Sequence, residues 1–245
     1  MKFIGIDGCK AGWLYALLDD QGQWSLGVVK TEALAEIVSS SRLTLIDIPI
    51  GLLESGGPHR QCDVEGRKML GWPRSSSVFA APSRQAVSAH DYKEACDKNF
   101  TALGRKISRQ AWNICKKIAE IDQLLIHNTD LQGRIRECHP EVCFWALNNA
   151  KAMQHNKKLS DGRAERLKVL EQYLPEASEI LEEGLCTYTR KQLAADDIVD
   201  AMVCAMTAKH GHSCLSKLPE QPVRDTEGLV MEIVYWGALQ PATCE

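Results

Sequence analysis

The 245-residue sequence predicts a mixed α/β fold, in which an antiparallel three-strand meander joins parallel strands flanked by helices. Three observations predict it. Apolar runs at the N-terminus are separated by short Gly-containing turns. The run at 43–48 is apolar on both faces, as a strand covered on both sides is. Most of the later chain carries apolar residues at helical spacing.

Residues 2–7, 12–18 and 24–30 read as the meander. TEALAEIVSS follows as a helix, with Thr31 as a plausible N-cap and Leu34, Ile37 and Val38 on one face. The fourth strand, 43–48, is stopped by Pro49 and Gly51. Gly, Pro and Ser then punctuate 55–58 and 71–84, between helical patterns at about 60–70, 90–103 and 108–127. In the last of these, Ile114, Ile118, Ile121 and Leu125 form an i, i+4, i+7, i+11 stripe. We read 55–130 as a mainly helical, basic insertion within a single domain over 1–245. RIRECHPE returns to strand at 134–138, and a helix starts in 141–149. Residues 151–158 read as a polar loop, 162–173 and 176–183 as helices, and DDIVDAMVCAMTAKHG as another. LVMEIVYWG reads as a final strand at a sheet edge.

Composition narrows the function. No apolar run approaches the ~18 residues that span a bilayer, so no membrane partner is expected. Asp7 and Lys10 interrupt the N-terminal apolar stretch, which therefore does not read as a signal peptide. The ten cysteines form no CxxC pair, and reduced thiols in a cytoplasmic protein are the expectation. Cys138 and Cys143 around His139, and His210, His212 and Cys214, lack the tight paired spacing of zinc sites. The net charge of −3 argues against a generic nucleic-acid binder. Its distribution is uneven, however: residues 56–119 hold twelve Lys/Arg against five Asp/Glu. Residues 98–119 hold six basic residues and no acid, which is either a solvated helical face or a surface for a polyanion.

The acids are the sharpest signal. Asp7 and Asp47 each end an apolar strand, and Glu137 ends the strand before His139, Pro140 and Glu141. Asp197 and Asp200 are i, i+3 on one helix, with Asp196 at i−4 from Asp200. Small residues follow at Ala201, Cys204, Ala205 and Ala208, a seam that lets the helix lie close to a sheet. First-turn acids also favour the helix dipole, which accounts for Asp196 better than for Asp200. Carboxylates that converge repel one another, and a hard divalent cation removes the conflict. The chain offers neither GxSxG nor GxxxxGK[ST].

Together GIDGCKAGW, IDIPIGL, RQCDVEGRKMLG, SSVFAAPSR, ECHPEVCFW and DDIVDA resemble a family of predicted RNase-H-like, RuvC-related nucleases that is still classed as a domain of unknown function. The resemblance covers nearly the whole chain and rests on the joint order of the motifs. It implies an RNase-H-like mixed sheet and a Mg²⁺- or Mn²⁺-dependent nuclease acting on DNA or RNA. Asp7, Asp47, Asp197 and Asp200 match its metal-binding acids, with Glu137 as a further catalytic candidate. Asp47 departs from the pattern, because Ile-Pro-Ile-Gly follows it and stiffens a loop that can instead serve substrate. Arg60, Arg67, Arg74, Ser76, Arg84 and Lys158 are the candidate substrate-binding residues. Arg60, Asp63 and Arg67 equally fit an internal ion-pair ladder. Lys157, Lys158 and Arg163 read as a solvated loop that can add positive charge. Two other classes compete: a non-catalytic nucleic-acid-binding or scaffold protein on the same fold, and an actin-like-branch ATPase or sugar kinase. The latter is suggested by the Asp-Gly turn in IDGCKAG but lacks a second such turn.

Overall fold

The computed structural model describes residues 1–237. Strands β1 (Lys2–Cys9), β2 (Gly12–Asp19) and β3 (Trp24–Val29) form the antiparallel meander, with Cys9 opposite Gly12 and Trp13 opposite Val29. Helix α1 (Thr31–Ser39) crosses to β4 (Leu43–Ile46), which runs parallel to β1 with Phe3 opposite Leu43 and Ile6 opposite Ile46. Four helices follow: α2 (Gln61–Leu70), α3 (Arg84–Val87), α4 (Tyr92–Leu103) and α5 (Arg109–His127). Strand β5 (Ile135–Glu137) then pairs in parallel with β4. The five-stranded sheet has the order β3-β2-β1-β4-β5. It is the mixed sheet the sequence predicts, and it is consistent with an RNase-H-like arrangement.

Four more helices complete the covering: α6 (Pro140–Leu147), α7 (Ser160–Leu170), α8 (Ala177–Thr187) and α9 (Ala195–Gly211). Strand alternation divides the core between two faces. Phe3, Cys9, Leu43 and Leu45 pack with α9, whereas Ile4, Ile6 and Ile46 pack with Ile118, Ile121 and Leu125 of α5. The stripe in 108–127 is therefore the cover of one sheet face. On the other face α9 lies directly on β1. A Cβ at Gly5 would sit 2.1 Å from the Ala201 carbonyl oxygen and 2.2 Å from the Ala205 nitrogen. Only glycine opposite a small-residue seam permits that approach.

Three details differ from the sequence reading. Lys30, not Thr31, is the N-cap of α1; the Thr31 hydroxyl donates to Glu120 Oε2 at 2.7 Å instead. The strand in LVMEIVYWG, β7 (Val230–Tyr235), does form, but its antiparallel partner is β6 (Ser216–Arg224) in a separate two-stranded sheet. A single parallel bridge from Val234 to Cys138 ties it to the end of the central sheet. Strand β6 was not anticipated, because two prolines and mixed polarity in SKLPEQPVR hide its pairing. Eight described cysteines carry free thiols, Cys9, Cys62, Cys138 and Cys204 among them. No described helix is long and apolar enough to cross a membrane.

A candidate metal centre at the strand ends

Asp7 shares the side of β1 that carries Phe3, Gly5 and Cys9, so it points towards α9. Asp47 directly follows β4, and its N–H donates to the Ile6 carbonyl at 2.9 Å. The parallel register thus sets Asp47 beside Asp7. Asp200 precedes Ala201, the residue seated over Gly5, so the tight helix–strand contact delivers its carboxylate to the same place. One oxygen from each of Asp7, Asp47 and Asp200 lies within 4.8 Å of the others.

This group is short of positive charge. Burial, then Asp47 and Asp200, push the Asp7 carboxyl well above the usual carboxylate range. Burial pushes Asp200 up to about 6, with Lys157 pulling the other way. Asp200 Oδ2 accepts from Lys157 Nζ, while Oδ1 is buried without a hydrogen-bond partner. Burial opposes the Lys157 ammonium, but Asp200, Asp7 and Asp47 outweigh it and hold it charged above the ordinary lysine range. Three carboxylates and one orphaned buried oxygen fit a hard, oxygen-seeking cation.

Asp197 lies outside the group. Its Oδ2 accepts from the Ala194 N–H at 2.8 Å, capping the first turn of α9. Helical geometry puts Asp197 and Asp200 on one face, yet the open backbone N–H at the helix start claims the first. Glu137 is likewise engaged elsewhere. Both its oxygens accept from Arg60 at 2.8 Å, and Oε2 also accepts from the Ile50 N–H at 2.6 Å.

Asp7 and Asp47 open into a cleft of about 430 Å³ that Lys157 also lines, with Asp200 buried behind them. Of the six expected substrate-binding residues, Arg60, Arg74, Ser76 and Lys158 line it, and Arg67 and Arg84 do not. Arg60 is buried and spent on Asp63, Glu137 and the Ile50 and Gly51 carbonyls, which makes it an internal clamp. Arg67 donates to the Val78 carbonyl. Arg84 faces Asp225, Asp122 and Glu54. Arg74 lines the cleft while donating to the Met153 and Gln154 carbonyls.

The basic stretch 98–119 is also largely committed to internal contacts. Lys98 pairs with Glu94, Arg105 donates to the Pro58 and Ala81 carbonyls, and Arg109 stacks on Tyr92. Lys117 alone of the six lines the cleft, donating to the Gly12 carbonyl and resting over the Trp13 ring. Sequence reasoning missed Lys117 as a site residue and took Lys157 for a solvated one. The imbalance of acids over cations around Asp7, Asp47 and Asp200 was the only available hint of Lys157's place.

Neither the curated proteins nor the solved structures contain a significant match to the chain. Residues 5–224 match the family described as "Protein of unknown function (DUF429)". That match runs from within β1 to the end of β6, taking in Asp7, Asp47 and Asp200, and the chain belongs to the DUF429 family.

Proposed function

We propose that the protein is a Mg²⁺- or Mn²⁺-dependent nuclease that hydrolyses phosphodiester bonds in DNA or RNA. The observation that carries this reading is the meeting of Asp7, Asp47 and Asp200, whose Oδ1 is buried and unpartnered, at a cleft that Asp7, Asp47 and several cations line. A hard divalent ion supplies Lewis acidity towards a phosphoryl oxygen and makes water a usable nucleophile at neutral pH. The three aspartates hold that ion. Lys158, Ser76 and Lys117 line the cleft around it and present donors and positive charge to a phosphate backbone. Neither a serine nor a cysteine nucleophile is needed, and burial keeps the nearby Cys138 thiol far above its ordinary range.

Incubation with single-stranded, duplex and branched DNA and RNA tests the proposal. Cleavage is expected with Mn²⁺, and loss of cleavage with chelator or in Asp7→Asn. Failure to cut any of these substrates with Mn²⁺ would count decisively against it. Salt-sensitive binding without cleavage would favour the non-catalytic reading on the same fold.

A further inference from the structure

Lys157 is held in place by its surroundings. Arg74 fixes the preceding chain through the Met153 and Gln154 carbonyls, at 2.7 and 2.6 Å. Glu165 accepts from the N–H groups of Gln154 and His155 at 2.8 and 2.9 Å. Arg166 donates to the His155 carbonyl at 3.1 Å and is itself paired with Glu141. Helix α7 presses on the loop so closely that a Cβ at Gly162 would lie 2.0 Å from the Asn156 carbonyl oxygen. These contacts seat the Lys157 ammonium against one oxygen of Asp200, with Asp7 and Asp47 also acting on it.

The charge balance follows directly. In the ionised form that would ligate a cation, the three carboxylates carry three negative charges and Lys157 returns one, so the cluster presents two, which one divalent ion neutralises. The oxygen count agrees. Lys157 occupies Asp200 Oδ2, and the buried Oδ1 remains without a partner. A second divalent ion bridging through Oδ2 would have to displace a cation that three side chains anchor.

We propose that the site takes a single divalent cation and that Lys157 stands permanently in the place of a second one. This deepens the metal-dependent reading and rests on it. Lys157 is here a fixed positive charge that holds Asp200 Oδ2 and repels the ion beside it.

The test is Mn²⁺ binding to the full-length protein, by calorimetry and by electron paramagnetic resonance of the free ion, without substrate. The expected result is one Mn²⁺ per wild-type chain. Lys157→Met should bind its Mn²⁺ at least about tenfold more tightly, because a like charge leaves and Asp200 Oδ2 is freed. Lys157→Arg should stay near wild type. Two Mn²⁺ per wild-type chain would overturn the proposal, as would a folded Lys157→Met whose affinity is unchanged or weaker. The wild-type stoichiometry decides even should Lys157→Met not fold. If neither protein binds Mn²⁺ at all, the metal reading itself fails, a result distinct from either of those.

Discussion

Two groups of acids meet at the same cleft and are treated in opposite ways: Asp63 and Glu137 line it in one, Asp7 and Asp47 in the other, with Asp200 behind them. Asp63 and Glu137 surround Arg60, and every polar atom of that trio finds a partner. Asp63 Oδ2 also takes the Ala81 N–H, and Glu137 Oε2 the Ile50 N–H, so the clamp ties the chain after β4 to β5 and α2. Asp7, Asp47 and Asp200 have one lysine beside them, paired with Asp200, whose buried Oδ1 is left unpartnered. A fully satisfied buried ion cluster is architecture, because removing any member strands the rest. An under-satisfied one is maintained at a cost in stability, and such costs concentrate at functional sites. Arg84 falls between the two. It pairs with Asp225 at 2.5 Å and Asp122 at 3.2 Å, but its Nε and Nη1 lack hydrogen-bond partners.

Substitutions that exchange the behaviour of these groups probe the contrast. The largest effect is expected for Asp7→Asn. Cleavage should fall on the order of 10⁴-fold, about 5 kcal/mol of transition-state stabilisation. The metal-free protein should nonetheless melt higher than wild type, since a crowded, buried charge is gone; a lower melting temperature would show that the aspartate cluster is structural. Arg60→Met should do the reverse and destabilise by about 4 kcal/mol, read from the urea midpoint, because Asp63 and Glu137 are left buried and unpaired. A change under about 1 kcal/mol would dissolve the distinction between the two groups.

Gly5→Ala comes next, at about 3 kcal/mol, because the new methyl meets backbone of α9 that cannot yield cheaply. It should also lower Mn²⁺ affinity by shifting Asp200 away from Asp7. Unchanged affinity in a folded variant would detach the Gly5 contact from the site. The smallest effect is expected at Asp122, where burial raises the carboxyl from 3.8 to about 6 against the pull of Arg84. The folded state thus holds its proton to higher pH than the unfolded chain. The resulting stability is present below about pH 4 and is lost as pH rises through about 6. Asp122→Asn should flatten that part of the stability–pH curve and gain about 1 kcal/mol at pH 7. An unaltered slope would assign the dependence to another group.

Much of the fold was legible from local pattern. The meander, the parallel fourth and fifth strands and the stripe of α5 follow from alternation and helical spacing, which act over a few residues. Strand β6 was not legible, since its prolines and charges make sense only beside β7. In the site, Asp7 and Asp47 were visible because each ends an apolar strand, and Asp200 because it lies beyond the first-turn acids at the start of a run that reads as buried. Asp197 shared Asp200's spacing but not its role, since spacing places a side chain on a face and does not say which backbone N–H will claim it. Arg60 fitted a phosphate grip and an ion-pair ladder equally well, because nothing local shows that Glu137 comes back to meet it across 77 residues.

By itself, then, the sequence determined most of the strand and helix pattern, the seam that lets α9 lie on β1, and a set of candidate acids that includes the three which meet. The tertiary structure decided which charges those acids meet. That division has a physical cause. Secondary structure and amphipathic faces arise from neighbours in the chain, whereas satisfying a buried charge depends on partners such as Lys157 and Asp200, 43 residues apart, brought together only by packing.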